Sequence, residues 1–106
     1  MAASDHLSGA QFFHGTNAEL EPGDYLTPNG ANAYGRLEDE SSRRHVYFTA
    51  DPYHAYGYAL RAQQQRGGAA NVYQVAPTGK TEADPVDEYD SGRTRARLRV
   101  IGKTDV

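Results

Sequence analysis

Alternation with a period of two sets the terms for this chain. In His45-Val46-Tyr47-Phe48-Thr49, in Asn71 to Val75 and in Arg93 to Ile101, residues change character at every second position, the pattern of a β-strand with one buried face. Gln11-Phe12-Phe13-His14-Gly15-Thr16 adds a short aromatic strand stopped by glycine, and Tyr25-Leu26-Thr27 adds an extended stretch. A chain of 106 residues carrying this many strands is the length of one domain. Such a chain buries only about 60–65% of its unfolded surface, so its core is small. It is too short for a parallel, doubly wound sheet. No Gly-x-Gly-x-x-Gly follows a strand, so a Rossmann-type nucleotide site is absent.

One segment breaks the period. Asp51 is placed to cap a helix with Pro52 at its first position. That helix is expected to run to about Gln65, with Tyr53, Tyr56, Ala59 and Leu60 as its apolar stripe and Arg66-Gly67-Gly68 as its stop. Pro28 to Arg44, rich in Gly, Asn, Ser and charge, is expected to be a long loop, partly helical from Arg36. Thr81 to Asp90 is acidic and expected to be irregular. Residues 1–10 are small and polar and are expected to form a loose tail, leaving 11–106 as a single domain. The expected fold is α+β: about four to six short strands, one to two helices and long loops.

Composition narrows the functions. The formal net charge is −3, so no basic surplus is present to drive nucleic-acid binding. There is no cysteine, which excludes disulfides and thiolate catalysis. No leader with a basic start and an apolar middle is visible, and no apolar run is long enough to span a membrane. A cytoplasmic monomer is the expectation. His6, His14, His45 and His54 lack the spacings of a zinc site, so no metal is expected. Eight tyrosines stand against three phenylalanines and no tryptophan; stacking surfaces for a ligand and a tyrosine-rich core account for this equally well.

Three motifs carry side chains suited to chemistry. His14 ends an apolar strand before Gly15, whose missing side chain lets the backbone approach a ligand. The His14 imidazole and the Thr16 hydroxyl can both hydrogen-bond a sugar; a merely structural strand-end histidine fits the same pattern. Alternation puts His45, Tyr47 and Thr49 on one face of their strand and Val46, Phe48 and Ala50 on the other. The polar face is thereby left to a ligand or to solvent. In Glu82-Ala83-Asp84-Pro85, a carboxylate beside a proline-fixed backbone suits the stabilisation of positive charge on a sugar carbon, and a solvated acidic loop suits it too. Arg93, Arg95, Arg97 and Arg99 charge one sheet face, able to touch pyrophosphate or simply solvated.

Taken in order, these motifs resemble the rifamycin ADP-ribosyltransferase family. Residues 12–16 (Phe-Phe-His-Gly-Thr), 18–20 (Ala-Glu-Leu) and 22–24 (Pro-Gly-Asp) resemble its opening, and His45 to Ala50 its second strand. Tyr56-Gly57 sits close to its Trp-Gly on the following helix. Asn71 to Val75 with Pro77-Thr78-Gly79 resembles its next strand and turn, Glu82 to Pro85 its acidic motif, and Ser91 to Val100 its final arginine-rich strand. The resemblance implies a small split-sheet ADP-ribosyltransferase core that uses NAD as co-substrate. It implies that His14 holds the NAD ribose, that Tyr47 packs on nicotinamide, and that Asp84 stands where other transferases use glutamate. Gly15, Thr16, Thr49 and Tyr56 join His14 and Tyr47 as expected NAD-binding residues. Nicotinamide leaves the ribose carbon through an oxocarbenium-like state, which calls for a nearby negative charge, a grip on the sugar and an aromatic wall.

The expected reaction is ADP-ribosyl transfer to a hydroxyl of a rifamycin-type antibiotic. Only five residues separate Pro85 from Ser91, fewer than the family carries, and a shorter rim also suits a protein or nucleic-acid acceptor. An RNA 2′-phosphotransferase-like activity shares the His-Gly-Thr strand, but net charge and single-domain length count against it. A module that binds NAD or a partner protein without turnover is the non-enzymatic alternative.

Overall fold

The computed structural model describes residues 11–28, 45–83 and 91–105. Asp84, the loop expected after Pro28 and the expected tail lie outside the described residues. Seven strands and one helix are seen in this portion: β1 (Phe12–Thr16), β2 (Tyr25–Leu26), β3 (Val46–Thr49), α1 (Pro52–Arg66), β4 (Asn71–Pro77), β5 (Thr81–Ala83), β6 (Ser91–Thr94) and β7 (Leu98–Thr104). The strands form one sheet in the order β2-β7-β4-β1-β3-β6-β5, with every neighbouring pair antiparallel. The fold is mixed α+β and mostly sheet, with more strands than the four to six expected.

The helix begins where the sequence says it should. Asp51 is extended and its side chain accepts a hydrogen bond from Tyr53 N at 2.9 Å, satisfying one of the helix's orphan donors. Gly67, at a positive φ of 81°, ends the helix and returns its N–H to Gln63 O. The buried stripe, however, is Ala55, Ala59 and Ala62. Tyr53 is 74% exposed, and Tyr56 and Leu60 are half-buried. The reason is the close approach of α1 to β1 at Gly15. A Cβ at Gly15 would coincide with the Ala55 carbonyl and lie 2.8 Å from Ala59 N. At that separation only alanine fits directly beneath the helix; Tyr53 is turned outward and Tyr56 packs at the margin of the cluster. The close approach that Gly15 permits is therefore that of α1.

The sheet divides the core in two. Phe13, Val72, Ala55 and Ala59 form a small cluster under α1. Leu26, Val46, Phe48, Tyr73, Val75, Leu98 and Val100 form the larger cluster on the opposite face, with Phe12 packed edge-on to Phe48. All of β3 is buried, so its polar face is not left to solvent as alternation alone suggests. β3 lies inside the sheet between β1 and β6, and both of its faces are covered.

Two segments differ from their expected form. Residues 81–83 are not irregular but form β5, which pairs with β6 through Thr81↔Thr94, Glu82↔Arg93 and Ala83↔Gly92. The arginine-rich run is not one strand. β6 pairs with β3 and β5, β7 pairs with β4 and β2, and a turn at 95–97 carries the chain between them. Thr94 makes that turn: its Oγ1 accepts from Ala96 N at 3.1 Å and donates to Lys80 O at 2.7 Å. Arg97 then lies over the Tyr25 ring, 4.0 Å from its centroid. A period of two continues through a turn as readily as through a strand, which is why the pattern misleads here.

Candidate functional site

β1 and β4 stay in register over five pairs, from Phe12↔Val75 to Thr16↔Asn71. β1 and β3, among the described residues, share one pair, Phe13↔Thr49. Past that pair the ladder opens, and the sheet splits at His14. The imidazole fills the start of the split, its Nδ1 lying 2.7 Å from the Tyr47 carbonyl oxygen, which it takes in place of a strand partner. A carbonyl can only accept, so Nδ1 carries the hydrogen; in the neutral ring Nε2 then bears the acceptor lone pair. The ring is 3% exposed.

The segment after the split is pinned from β4. Tyr73 Oη accepts from Leu20 N at 2.9 Å and donates to Ala18 O at 3.1 Å, and Asn71 Nδ2 donates to Ala18 O at 3.0 Å. Buried polar groups with matched partners hold a single conformation. They fix the course of the chain immediately beyond His14, Gly15 and Thr16.

The remaining expected NAD-binding residues lie around the same strand ends. Thr16, fully buried, accepts from Ala18 N at 3.1 Å, and Thr49 accepts from Asp51 N at 3.1 Å. Both hydroxyls thus shape the turn that follows their strand. Tyr56 packs on the cluster beneath α1. Tyr47 is buried, 9% exposed. The structure thus brings His14 together with the Tyr47 backbone, and it places Gly15 against α1. Asp84 directly follows β5, outside the described residues.

A polar row that the sequence did not reveal runs beside Tyr47. Tyr47 stands opposite Arg93 across β3 and β6, and Arg93 stands opposite Glu82 across β6 and β5. Arg93 Nε donates to Glu82 Oε1 at 2.7 Å, and Arg93 Nη1 lies 3.5 Å from Tyr47 Oη. His45 Nε2 lies 3.1 Å from the same Glu82 oxygen and 3.4 Å from Arg95 Nε. One ring nitrogen cannot both donate to the carboxylate and accept from the guanidinium, so the two contacts exclude each other, and the shorter is to Glu82. An open groove of about 290 Å³ follows the outer strands, lined by Lys80, Thr81, Glu82, Arg93, Thr94 and Arg95. Two of its three cations already face Glu82 or His45. The missed signal was the pairing of Glu82 with Arg93, eleven residues apart across a hairpin whose first strand lacks a run of strong β-formers.

Burial acts to raise the Glu82 pKa, but the hydrogen bond and charge of Arg93, with the charges of His45 and Arg95, hold it below the usual carboxylate value. Partial burial opposes the charge of Arg93, while its bonds to Tyr47 and Glu82 raise its pKa further above an already high value. A carboxylate depressed in the folded state adds stability above its unfolded pKa and loses it as pH falls through the folded value. The parent should therefore melt progressively lower as pH drops below about 5, and Glu82→Gln should flatten that slope. Because Glu82 is 54% exposed, the loss at neutral pH should stay under about 1 kcal/mol. Thermal melts of both chains across the acid range check this, and parallel slopes would remove Glu82 from the acid transition.

A protein-family model described as rifampin ADP-ribosyl transferase (Arr-ms) matches residues 12–105. No curated protein matches the chain.

Proposed function

Because this chain belongs to the rifampin ADP-ribosyl transferase family, we propose that its transfer of ADP-ribose from NAD to a rifamycin hydroxyl is carried by His14, Tyr47 and Asp84. The observation that supports these assignments is the split at His14. It opens the sheet beside a tyrosine strand and fixes the imidazole by its Nδ1 bond to Tyr47 O. An Nε2 that bears a lone pair can accept a hydrogen bond from a ribose hydroxyl. The Tyr47 ring, on the neighbouring strand, supplies the flat surface that a nicotinamide needs. Asp84 supplies negative charge as the bond from the ribose carbon to nicotinamide breaks and nicotinamide leaves with the bonding pair; the antibiotic's oxygen then bonds that carbon and its proton passes to solvent. Gly15 and Thr16 lie on β1 beyond His14, Thr49 makes the pair that closes the split, and Tyr56 packs on the cluster beneath α1; these four are the further residues assigned to NAD.

The test is nicotinamide release from NAD with and without rifampicin. Release should rise with the antibiotic, and the antibiotic should gain one ADP-ribose. Label found only on macromolecules in a lysate would replace the acceptor. His14→Ala should raise the Kd for NAD by about five- to 150-fold, the cost of ~1–3 kcal/mol for one lost ligand hydrogen bond. A folded His14→Ala chain with parental NAD affinity would make His14 a purely structural residue.

A further inference from the structure

The geometry points to Arg93, braced by Glu82, as the positioning residue that sets the Tyr47 ring for NAD. This rests on the assignment of Tyr47 to the site and adds the means by which its ring is held. Three strands contribute one residue each to a single row: Tyr47, Arg93 and Glu82 are direct cross-strand partners on β3, β6 and β5. Directly opposed residues have Cβ atoms about 4.5–5.5 Å apart, so their side chains are neighbours along the whole row. The Arg93–Glu82 bond is the short one at 2.7 Å, and Arg93 reaches the Tyr47 hydroxyl from that braced position at 3.5 Å. His45, two residues before Tyr47 on β3, contacts Glu82 at 3.1 Å and ties the brace back to the tyrosine strand.

The row answers a mechanical problem. β3 loses its β1 ladder at the split, so the strand at Tyr47 is paired with β6 alone and is met from the β1 side by the His14 Nδ1 bond to the Tyr47 carbonyl. A planar ring that is to lie against nicotinamide must keep its tilt. A tyrosine is fixed at its backbone end by the strand and at its far end by whatever meets its hydroxyl. Among the described residues a guanidinium, itself oriented by a carboxylate, meets that hydroxyl. The bracing acts through Tyr47 alone, so Arg93 and the Tyr47 hydroxyl should behave as one unit in catalysis.

A double-mutant cycle on kcat/KM for NAD, read as nicotinamide release, tests this. Arg93→Met should cost about tenfold in the parent, within the range that a misplaced group produces. Tyr47→Phe should cost a similar factor, since it cuts the same link. Arg93→Met added to Tyr47→Phe should cost less than about twofold more, because the contact is already gone. Much of the loss should fall on KM for NAD. Arg93→Lys keeps the charge without the forked donor pair and gives the same cycle should Arg93→Met not fold; all rates are taken well below each variant's melting temperature. Equal losses in the two backgrounds would overturn the inference and leave Arg93 as an ordinary sheet residue. Tyr47→Ala separates this from the underlying assignment. If that chain turns over NAD as the parent does, Tyr47 itself leaves the site, whereas an inactive Tyr47→Ala with additive Arg93 losses removes only the bracing.

Discussion

Asp84→Asn is expected to lower the rate constant for nicotinamide release by about a hundredfold or more while leaving NAD affinity within a few-fold, in line with the ~3–4 kcal/mol carried by single preorganised groups. Bound NAD already has a positive nicotinamide ring, so a little ground-state attraction is lost. The larger effect comes as that charge moves onto the ribose carbon, where an ionised carboxylate is worth more than an amide. An interaction made mainly in the transition state lowers kcat and spares binding. Asp87 and Glu88, in the same acidic stretch, are the controls, and their amide variants should release nicotinamide at near the parental rate. Glu82 is not a neutral control, because it anchors Arg93. Equal losses at Asp84, Asp87 and Glu88 would mean that the stretch acts only through its summed charge. No loss at Asp84 would move the catalytic acid elsewhere.

What the sequence made legible was local. An aromatic run located β1, alternation located β3 and β4, and the Asp51-Pro52 start and the Gly67 stop located α1, because caps, runs and periods are written in neighbouring residues. What it did not make legible depended on partners far along the chain. The polar face of β3 reads as exposed until β6 and β5 are laid beside it, and that placement turns His45, Tyr47, Arg93 and Glu82 into one row. β5 itself has three residues and too few β-formers to be seen alone. The arginines at 93, 95, 97 and 99 keep their spacing through a turn, so the period hides the break at Thr94. The candidate site shows the same division. His14 stands out in the sequence by its place before Gly15, but β1 does not stop there: it continues through Gly15 to Thr16 along β4, and the role of His14 at the split follows from β3 leaving β1 after one pair. The helix stripe is the sharpest case. Tyrosine outranks alanine as a core residue by size, yet the distance between α1 and β1 decides the matter, and Gly15 sets that distance.

Gly15→Ala is expected to be the most damaging single methyl group in the chain. Its Cβ meets the Ala55 carbonyl and approaches Ala59 N, and both are helix backbone that cannot turn aside as a side chain can. Either α1 lifts from the sheet, which opens the cluster of Phe13, Ala55, Ala59 and Val72, or β1 bends away beside His14. Overpacking of this kind costs ~1–3 kcal/mol and more where backbone must move. In a domain of this size 3 kcal/mol lowers the melting temperature by roughly 10–20 °C. The same glycine was also expected to admit NAD to the backbone, and the two roles give different results. If Gly15 serves the helix, Gly15→Ala loses thermal stability first, and whatever fraction remains folded in the cold binds NAD with an affinity close to the parent's. If Gly15 serves the ligand, the variant melts near the parental temperature and fails to bind. A melt and an NAD titration on the same preparation decide between them. A parental melting temperature would show that α1 stands further from β1 than the buried alanines imply.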